Sequence, residues 1–137
     1  MAAILVDTGF LVSLFRRSDR LRTSARDFLR ENHLPLITAM PVIVETCFFL
    51  DAEAKCSLLA WIQRRALSVS EVPVAAYGSL IVFLRKYADR DADLADAALV
   101  WLADQTGIRG VLTTDVTDFA VYRLKGGKRF EIMGWFG

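Results

Sequence analysis

The most constraining feature of the sequence is a helix-forming segment, residues 94–106, that has no polar face. Its first turns carry apolar residues on all sides, namely Leu94, Ala97, Ala98, Leu99, Val100, Trp101 and Leu102. A surface helix has one apolar and one polar face, so this helix is predicted to lie inside a domain. Gly107 is a typical residue to end it. Residues 111–113 then predict a short buried strand that runs into Asp115.

Asp96 lies in the first turn of this helix, where a carboxylate has two interpretations. In the first, Asp93 is the N-cap and Asp96 completes a box-like cap, which the helix dipole favours. In the second, Asp96 binds a ligand together with acids from elsewhere in the chain. Asp115 has the same two interpretations, because it could cap the turn that follows its strand. Within this segment alone, capping is the favoured interpretation of Asp96.

Short strand-like segments alternate with helical patterns along the whole chain. The segments that we interpret as strands are residues 3–6, 35–38, 68–72, 111–113 and 130–133. Helical spacing or composition predicts helices at residues 10–15, 22–32, 54–66, 75–87 and 94–106, and a further helix that starts near Pro41. This alternation predicts an α/β fold with a mostly parallel sheet of about five strands and helices on both faces. No linker or repeat interrupts it, so one domain is expected to cover residues 1–137.

Composition argues against several classes of protein. No run approaches the roughly 20 consecutive apolar residues that span a membrane, and no charged and apolar leader opens the chain. We therefore expect a cytoplasmic protein without membrane contact. Apolar residues make up 54% of the chain, which favours a partner or a self-association face. Cys47 and Cys56 have neither zinc-site nor redox spacing, and we expect them to be buried and reduced.

Positive charge is concentrated in two clusters, although the net charge is only +1. The clusters are Arg16, Arg17, Arg20 and Arg22, and Arg123, Lys125, Lys128 and Arg129. Either cluster could be an ordinary solvated face, but beside an acidic site both would suit a ligand with a phosphate backbone. His33 is the only histidine, which argues against a histidine-ligated metal cluster or a Ser-His-Asp triad. Carboxylates are therefore the leading candidates for chemistry.

Four carboxylates are predicted to meet at one edge of the sheet. Asp7 follows the first strand and Asp115 follows the strand at residues 111–113, while Glu45 and Asp96 lie in the first turns of helices. Ligands of open α/β sheets bind beyond the carboxyl ends of the strands, although helix-capping acids collect at the same edge. Crowded carboxylates repel one another, and their pKa values rise unless a cation lies between them. Oxygen ligands without histidine or thiolate suit Mg²⁺ or Mn²⁺.

Four segments carry a family resemblance, and they are ILVDTGFLVSLFRRSD, PVIVET, DLADAALVWLADQTG and VLTTDVTDFAVYR. In this order and spacing they resemble the PIN domain family, and in particular the VapC-type toxins of bacterial toxin–antitoxin pairs. The resemblance extends over nearly the whole chain. The acidic quartet of the family is matched, without a missing member, by Asp7, Glu45, Asp96 and Asp115.

The resemblance also implies supporting residues around the quartet. Thr8 stands beside the first acid and Thr113 lies shortly before the fourth, and both are expected to orient carboxylates by hydrogen bonds. Asp93 and Asp118 stand where many family members carry further acids. Supporting roles at most are expected for these two acids.

The function that the resemblance implies is a metal-dependent endoribonuclease, the toxin of a type II pair, which cleaves structured RNA and is held inactive by a cognate antitoxin. Family members are typically homodimers, which would account for the apolar surplus. In the implied mechanism, Asp7, Asp96 and Asp115 hold one Mg²⁺ or Mn²⁺ ion, and Glu45 positions or deprotonates the attacking water. The basic residues expected to contact RNA phosphates are Arg16, Arg17, Arg20, Arg123 and Lys128.

Three other functions are weaker alternatives. The main one is a PIN-like module that binds RNA or protein without turnover, and metal-independent RNA binding without cleavage would favour it. A receiver-like signalling domain needs a phosphoacceptor Asp after the central strand and a Lys after the last, and neither residues 35–38 nor residues 130–133 lead into one. A phosphatase with an aspartyl nucleophile needs a second Asp two positions after the nucleophile. With Asp7 as the nucleophile, Gly9 occupies that position.

Overall fold

A parallel sheet of five strands runs through the computed structural model, which describes residues 2–137. The strands are β1 (Ile4–Val6), β2 (Leu36–Ala39), β3 (Ser68–Ser70), β4 (Gly110–Leu112) and β5 (Glu131–Ile132). They lie in the order β3-β2-β1-β4-β5, and every neighbouring pair is parallel. The chain thus builds one side of the sheet and then crosses to the other. β1 and β4 meet at the switch point, where ligands bind in open α/β folds.

Helices connect the strands and cover both faces of the sheet. The α-helices are α1 (Thr8–Phe15), α2 (Arg22–Glu31), α3 (Met40–Cys47), α4 (Ala52–Gln63), α5 (Tyr77–Lys86), α6 (Leu94–Thr106) and α7 (Val116–Val121). Ile4, Leu5 and Val6 are each at most 1% exposed. Successive strand residues point to opposite faces, so both faces are covered. The α/β fold with a parallel five-stranded sheet is confirmed.

Helix α6 is the buried helix that the sequence predicts, and it has the predicted bounds. Eight of its 13 residues are buried, and it packs against α3, α5 and β2. Asp93 starts it by accepting a hydrogen bond from the Asp96 N–H (2.8 Å). Gly107 ends it with a φ of 74°, a backbone conformation that glycine adopts without strain. The position of α6 in the core brings the carboxylate of Asp96 to the edge of the sheet from inside the domain.

Helix α7 is an element that the sequence patterns do not predict beyond a turn after Asp115. Six residues give too short a pattern for helical periodicity to be recognised. The helix begins because the Asp115 side chain accepts a hydrogen bond from the Asp118 N–H (3.2 Å). Its course turns Phe119, and Tyr122 just after its end, into the core, where both are at most 1% exposed.

Exposed apolar side chains concentrate around α3 and α5. Phe48 is 81% exposed and Ile81 is 47% exposed. Both line a groove of about 900 Å³ that also includes Val44, Tyr77 and Leu94. Part of the apolar surplus of the sequence therefore lies on the surface. Across residues 2–137, no helix combines the length and the apolar character that crossing a membrane requires.

The two cysteines differ in their surroundings. Cys47 is half-buried at the end of α3, whereas Cys56 is exposed on α4. The expectation that both are buried is therefore wrong for Cys56, and Cys47 is only partly buried. The physical reason is that α4 is a surface helix, in which only Leu58 is fully covered by the core. Both thiols are free of disulfide bonds.

Candidate active site

The loops that follow β1 and β4 are packed directly against each other. The Asp7 N–H donates a hydrogen bond to the Leu112 carbonyl at the end of β4 (2.9 Å). Asp7 occupies the N-cap position of α1, but its side chain makes no capping hydrogen bond. A Cβ atom on Gly9 would collide with the side chain of Thr114. Glycine at position 9, in the first turn of α1, therefore permits α1 and the loop after β4 to approach closely, which brings Asp7 and Asp115 together.

Thr113 joins the first and the fourth acid of the predicted quartet. Its buried hydroxyl donates a hydrogen bond to Asp7 Oδ2 (2.7 Å) and accepts one from the Asp115 N–H (2.9 Å). Trp135 Nε1–H donates to the Thr113 carbonyl (3.2 Å), and its ring packs edge-on against Phe10 with centroids 4.9 Å apart. Thr113 thus sets the orientation of the Asp7 carboxylate, and the C-terminal segment supports Thr113 in turn.

Asp96 is held by Tyr122, a residue that the sequence patterns do not single out. The Tyr122 hydroxyl donates a hydrogen bond to Asp96 Oδ2 (2.6 Å). The tyrosine is fully buried, and its ring packs against those of Phe83, Tyr87 and Phe119. The sequence gives one indication of this contact, namely that the hydroxyl of a buried tyrosine needs a hydrogen-bond partner. That indication does not identify the partner, because Asp96 lies 26 positions away.

The capping interpretation holds for Asp93 and Asp115, whose side chains accept backbone N–H groups three residues later. It does not hold for Asp96, because a capping box would need the Asp93 N–H to donate to the Asp96 carboxylate, and within residues 2–137 that carboxylate accepts its hydrogen bond from Tyr122 instead. Asp118 has a further partner, since Arg90 Nη1 lies 2.9 Å from Asp118 Oδ1. Capping therefore accounts for two acids at this edge and leaves the carboxylate of Asp96 to be explained by something else.

Glu45 and Thr8 complete a cavity of about 500 Å³ that is also lined by Asp7, Asp96 and Asp115. The Thr8 hydroxyl is buried and has no hydrogen-bond partner within residues 2–137. It nevertheless lies near enough to the Glu45 carboxylate to favour the ionised form of that acid. Buried hydroxyl groups are almost always paired in proteins, so an unpaired one fits a site that takes a ligand.

Burial raises the pKa values of all four acids of the quartet. The pKa of Asp7 rises to about 6, that of Glu45 to about 7 and that of Asp96 to about 8, and the pKa of Asp115 is raised as well. Repulsion adds to the effect of burial, because Asp93 raises the pKa of every member. Hydrogen bonds to Asp7 and Asp96 act in the opposite direction without offsetting burial. A cation between the carboxylates would remove this cost.

The arrangement of oxygen atoms fits a divalent cation. Asp96, Asp115 and Asp118 each offer a carboxylate oxygen within 4.8 Å of those of the other two. Asp7 is not part of this trio, but its charge repels that of Asp96. The sequence predicts only a supporting role for Asp118, but its carboxylate lies as close to Asp96 and Asp115 as a shared cation requires. Carboxylate oxygens without histidine or thiolate are the donors that Mg²⁺ and Mn²⁺ prefer.

The predicted RNA-binding residues fall into two groups. Arg16 and Arg20 line the acidic cavity, and Arg17 lines a neighbouring cavity. Arg123 lines neither of these, because its guanidinium donates hydrogen bonds to three carbonyls at the end of α7 (2.8–3.1 Å). Lys128 is exposed and also lies outside both cavities. The structure thus brings Arg16 and Arg20 of the first cluster to the acids, and RNA contact by either cluster stays a prediction.

Comparisons with known proteins agree with this geometry. A family model described as the PIN domain matches residues 4–123. Ribonuclease VapC26 of Mycobacterium tuberculosis is 24% identical over 134 residues, which cover 95% of this chain and 99% of that protein. The crystal structure of Mycobacterium tuberculosis VapC20, described as a sarcin-ricin loop cleaving toxin, has a TM-score of 0.73 at 20% identity.

The VapC20 alignment covers 80% of this chain and 87% of that chain. A toxin–antitoxin complex from Klebsiella pneumoniae gives a TM-score of 0.65 at 16% identity and covers 98% of both chains. At these identities the solved structures establish the fold alone. The family match covers most of the chain, from β1 to the residues that follow α7. The protein therefore belongs to the PIN domain family.

Proposed function

We propose that this protein is a metal-dependent endoribonuclease and the toxin of a type II toxin–antitoxin pair. The observation that carries the proposal is the convergence of Asp7, Glu45, Asp96 and Asp115 on one cavity, where burial raises all four pKa values. Acids placed at such a cost, and not explained by capping alone, suit a site that is completed by a cation. The names of the relatives VapC26 and VapC20 agree with cleavage of RNA.

The proposed division of roles is the one that the family resemblance implies, and two hydrogen bonds within the site support it. Asp7, Asp96 and Asp115 hold the cation, with Thr113 and Tyr122 fixing the orientation of the first two carboxylates. Glu45 reaches the same cavity from α3, and the pKa of about 7 lets it accept a proton from the attacking water near neutral pH. Arg16 and Arg20, on the wall of the cavity, bind the phosphates that flank the scissile bond.

Mg²⁺ is the proposed ion, with Mn²⁺ as the alternative that the same donors accept. When bound, such an ion supplies charge that favours deprotonation of water and stabilises the developing charge on the phosphate. The protein contributes the position of the carboxylates and a cavity that is lined by residues of α1, α3 and α6.

The proposed partners are RNA, a cognate antitoxin and a second copy of this chain. The toxin–antitoxin complex among the similar structures supports the antitoxin as a partner. The apolar groove between α3 and α5, with Phe48 and Ile81 exposed on it, is the proposed homodimer face. The protein is proposed to act in the cytoplasm, and one PIN domain is proposed to cover residues 1–137.

The test is cleavage of structured RNAs by the purified protein with Mg²⁺, with Mn²⁺ and with EDTA. Asp96→Asn should abolish metal-dependent cleavage while the circular dichroism spectrum stays native. The matched control is Asp104→Asn, which makes the same change at the far end of α6, outside the cavity. A folded protein that binds RNA without metal and cleaves none of these RNAs would instead be a PIN-like binding module.

A further inference from the structure

A second cavity adjoins the acidic one on the side of the first basic cluster. It has a volume of about 710 Å³ and lies between the end of α1, helix α2 and the start of α4. Arg16 and Phe49 line both cavities. A strand of nucleic acid that lies across the acids can therefore continue into this second cavity past Arg16.

Four arginines converge on the second cavity, and they are Arg16, Arg17, Arg22 and Arg26. Within residues 2–137, none of the four has a carboxylate partner within salt-bridge distance. Two acids, Asp51 and Glu53, also line the cavity. Asp51 is engaged as the cap of α4, because its side chain accepts a hydrogen bond from the Ala54 N–H (2.8 Å). The cavity therefore has an excess of unpaired positive charge, as a binding site for phosphate groups requires.

Aromatic rings form another part of the wall. Phe15 and Trp61 both line the cavity, and their rings pack edge to face with centroids 5.4 Å apart. Trp61 is only half-buried. Arginines beside an accessible aromatic ring are the combination that binds unpaired nucleotides, because the cations hold phosphates and the ring stacks on a base.

We propose that this second cavity is a binding subsite for the unpaired nucleotides next to the scissile phosphate of an RNA substrate. The proposal rests on the proposed ribonuclease function, and it assigns a ligand to a part of the surface that the catalytic acids do not use. Arg16 lies at the junction and holds the phosphate between the two cavities. Arg17 and Arg26 bind the next phosphates, and Trp61 stacks on a base.

The test measures binding of a fluorescein-labelled oligouridylate of about 12 nucleotides by fluorescence anisotropy. EDTA is present, so that cleavage does not compete with binding. The double variant Arg17→Ala, Arg26→Ala is compared with Arg64→Ala, Arg85→Ala, which removes the same charge from exposed positions outside both cavities. If both arginines contact phosphates, the slope of log affinity against log salt should become shallower by about 1.4 in the first variant and stay unchanged in the control.

A third variant separates stacking from charge. Trp61→Leu should weaken binding by about 5- to 150-fold and leave the salt slope unchanged. Equal slopes for the two double variants would overturn the proposal, because the two arginines would then contact no phosphates. This result is distinguishable from failure of the proposed function, which is judged by metal-dependent cleavage. If the protein cleaves no RNA but shows the expected change in slope, the nucleotide-binding subsite would stand and the proposed nuclease function would fail.

Discussion

Replacing Asp7 by Asn should stabilise the metal-free protein while removing its function. Asp7 is 5% exposed, and burial raises its pKa from an ordinary value of 3.8 to about 6. The native state therefore keeps a proton that the unfolded chain releases. Stability falls as the pH rises from 3.8 to 6, and the full cost of the charge is present above that window. Asparagine is neutral throughout, and its amide oxygen can still accept the hydrogen bond from Thr113.

The magnitude follows from the size of the pKa shift. A difference of about 2 pKa units at 1.36 kcal/mol each amounts to about 3 kcal/mol above pH 6. Given the unfolding entropy of a chain of this length, this free energy corresponds to an increase of about 10 °C in the Tm of Asp7→Asn. The variant should also relieve the repulsion that Asp7 exerts on Glu45 and Asp96, and this relief stabilises the variant further. Below pH 3.8 the difference between the two proteins should vanish.

The assay is thermal unfolding in EDTA at pH 8 and at pH 3.5, followed by circular dichroism. Asp89→Asn serves as the control, since it neutralises an exposed acid outside the acidic cavity. Addition of Mg²⁺ at pH 8 should raise the Tm of the wild type more than that of Asp7→Asn, because the variant has lost a ligand. An Asp7→Asn protein that is less stable than the wild type at pH 8 in EDTA would refute the assignment of a costly buried charge.

Three further outcomes are expected. Tyr122→Phe should weaken Mn²⁺ binding about 10- to 100-fold, measured by calorimetry, because Asp96 loses the hydrogen bond that orients it. The control Tyr87→Phe should leave the Mn²⁺ affinity unchanged. Equal affinities of the two variants would contradict the positioning role of Tyr122. Gly9→Ala should lower both Tm and Mn²⁺ affinity, because its Cβ forces α1 away from the loop after β4. Gly78→Ala should raise Tm, because the added Cβ has free space. An unaltered Gly9→Ala protein would show that the close approach is dispensable. The Tm increase caused by saturating Mg²⁺ should be larger at pH 8 than at pH 5, since the ion must displace protons at low pH, and the reverse order would argue against binding by these acids.

The fold was accessible from the sequence because its strongest signals are local. The bounds of α6 follow from its apolar composition between Asp93 and Gly107. Helix α7 has only six residues, and its start depends on a capping hydrogen bond from Asp118 to Asp115 rather than on periodicity. The exposure of Cys56 likewise depends on which face of α4 meets the core, and the weak amphipathic pattern of that helix does not specify this.

The site was accessible in part. The order of strands and acids places Asp7 and Asp115 at one edge of the sheet, and adjacent parallel strands do bring them together there. Tyr122 could not be identified, because a tyrosine among aromatic residues in the sequence indicates core packing, and its hydroxyl partner is set by the tertiary fold. The carbonyl contacts of Arg123 at the end of α7 could not be identified either, because they too are set by the tertiary fold and not by the basic character of the residue.

The central claim is that the carboxylates of the acidic cavity jointly bind a divalent ion on which RNA cleavage depends. The most direct measurement is the rate of cleavage of a structured RNA as a function of Mg²⁺ concentration, for the wild type and Asp96→Asn. We expect no cleavage in EDTA, a saturable rise in rate for the wild type, and no rise for the variant at any concentration. Cleavage that persists in EDTA, or an Asp96→Asn protein with the wild-type metal dependence, would contradict the claim.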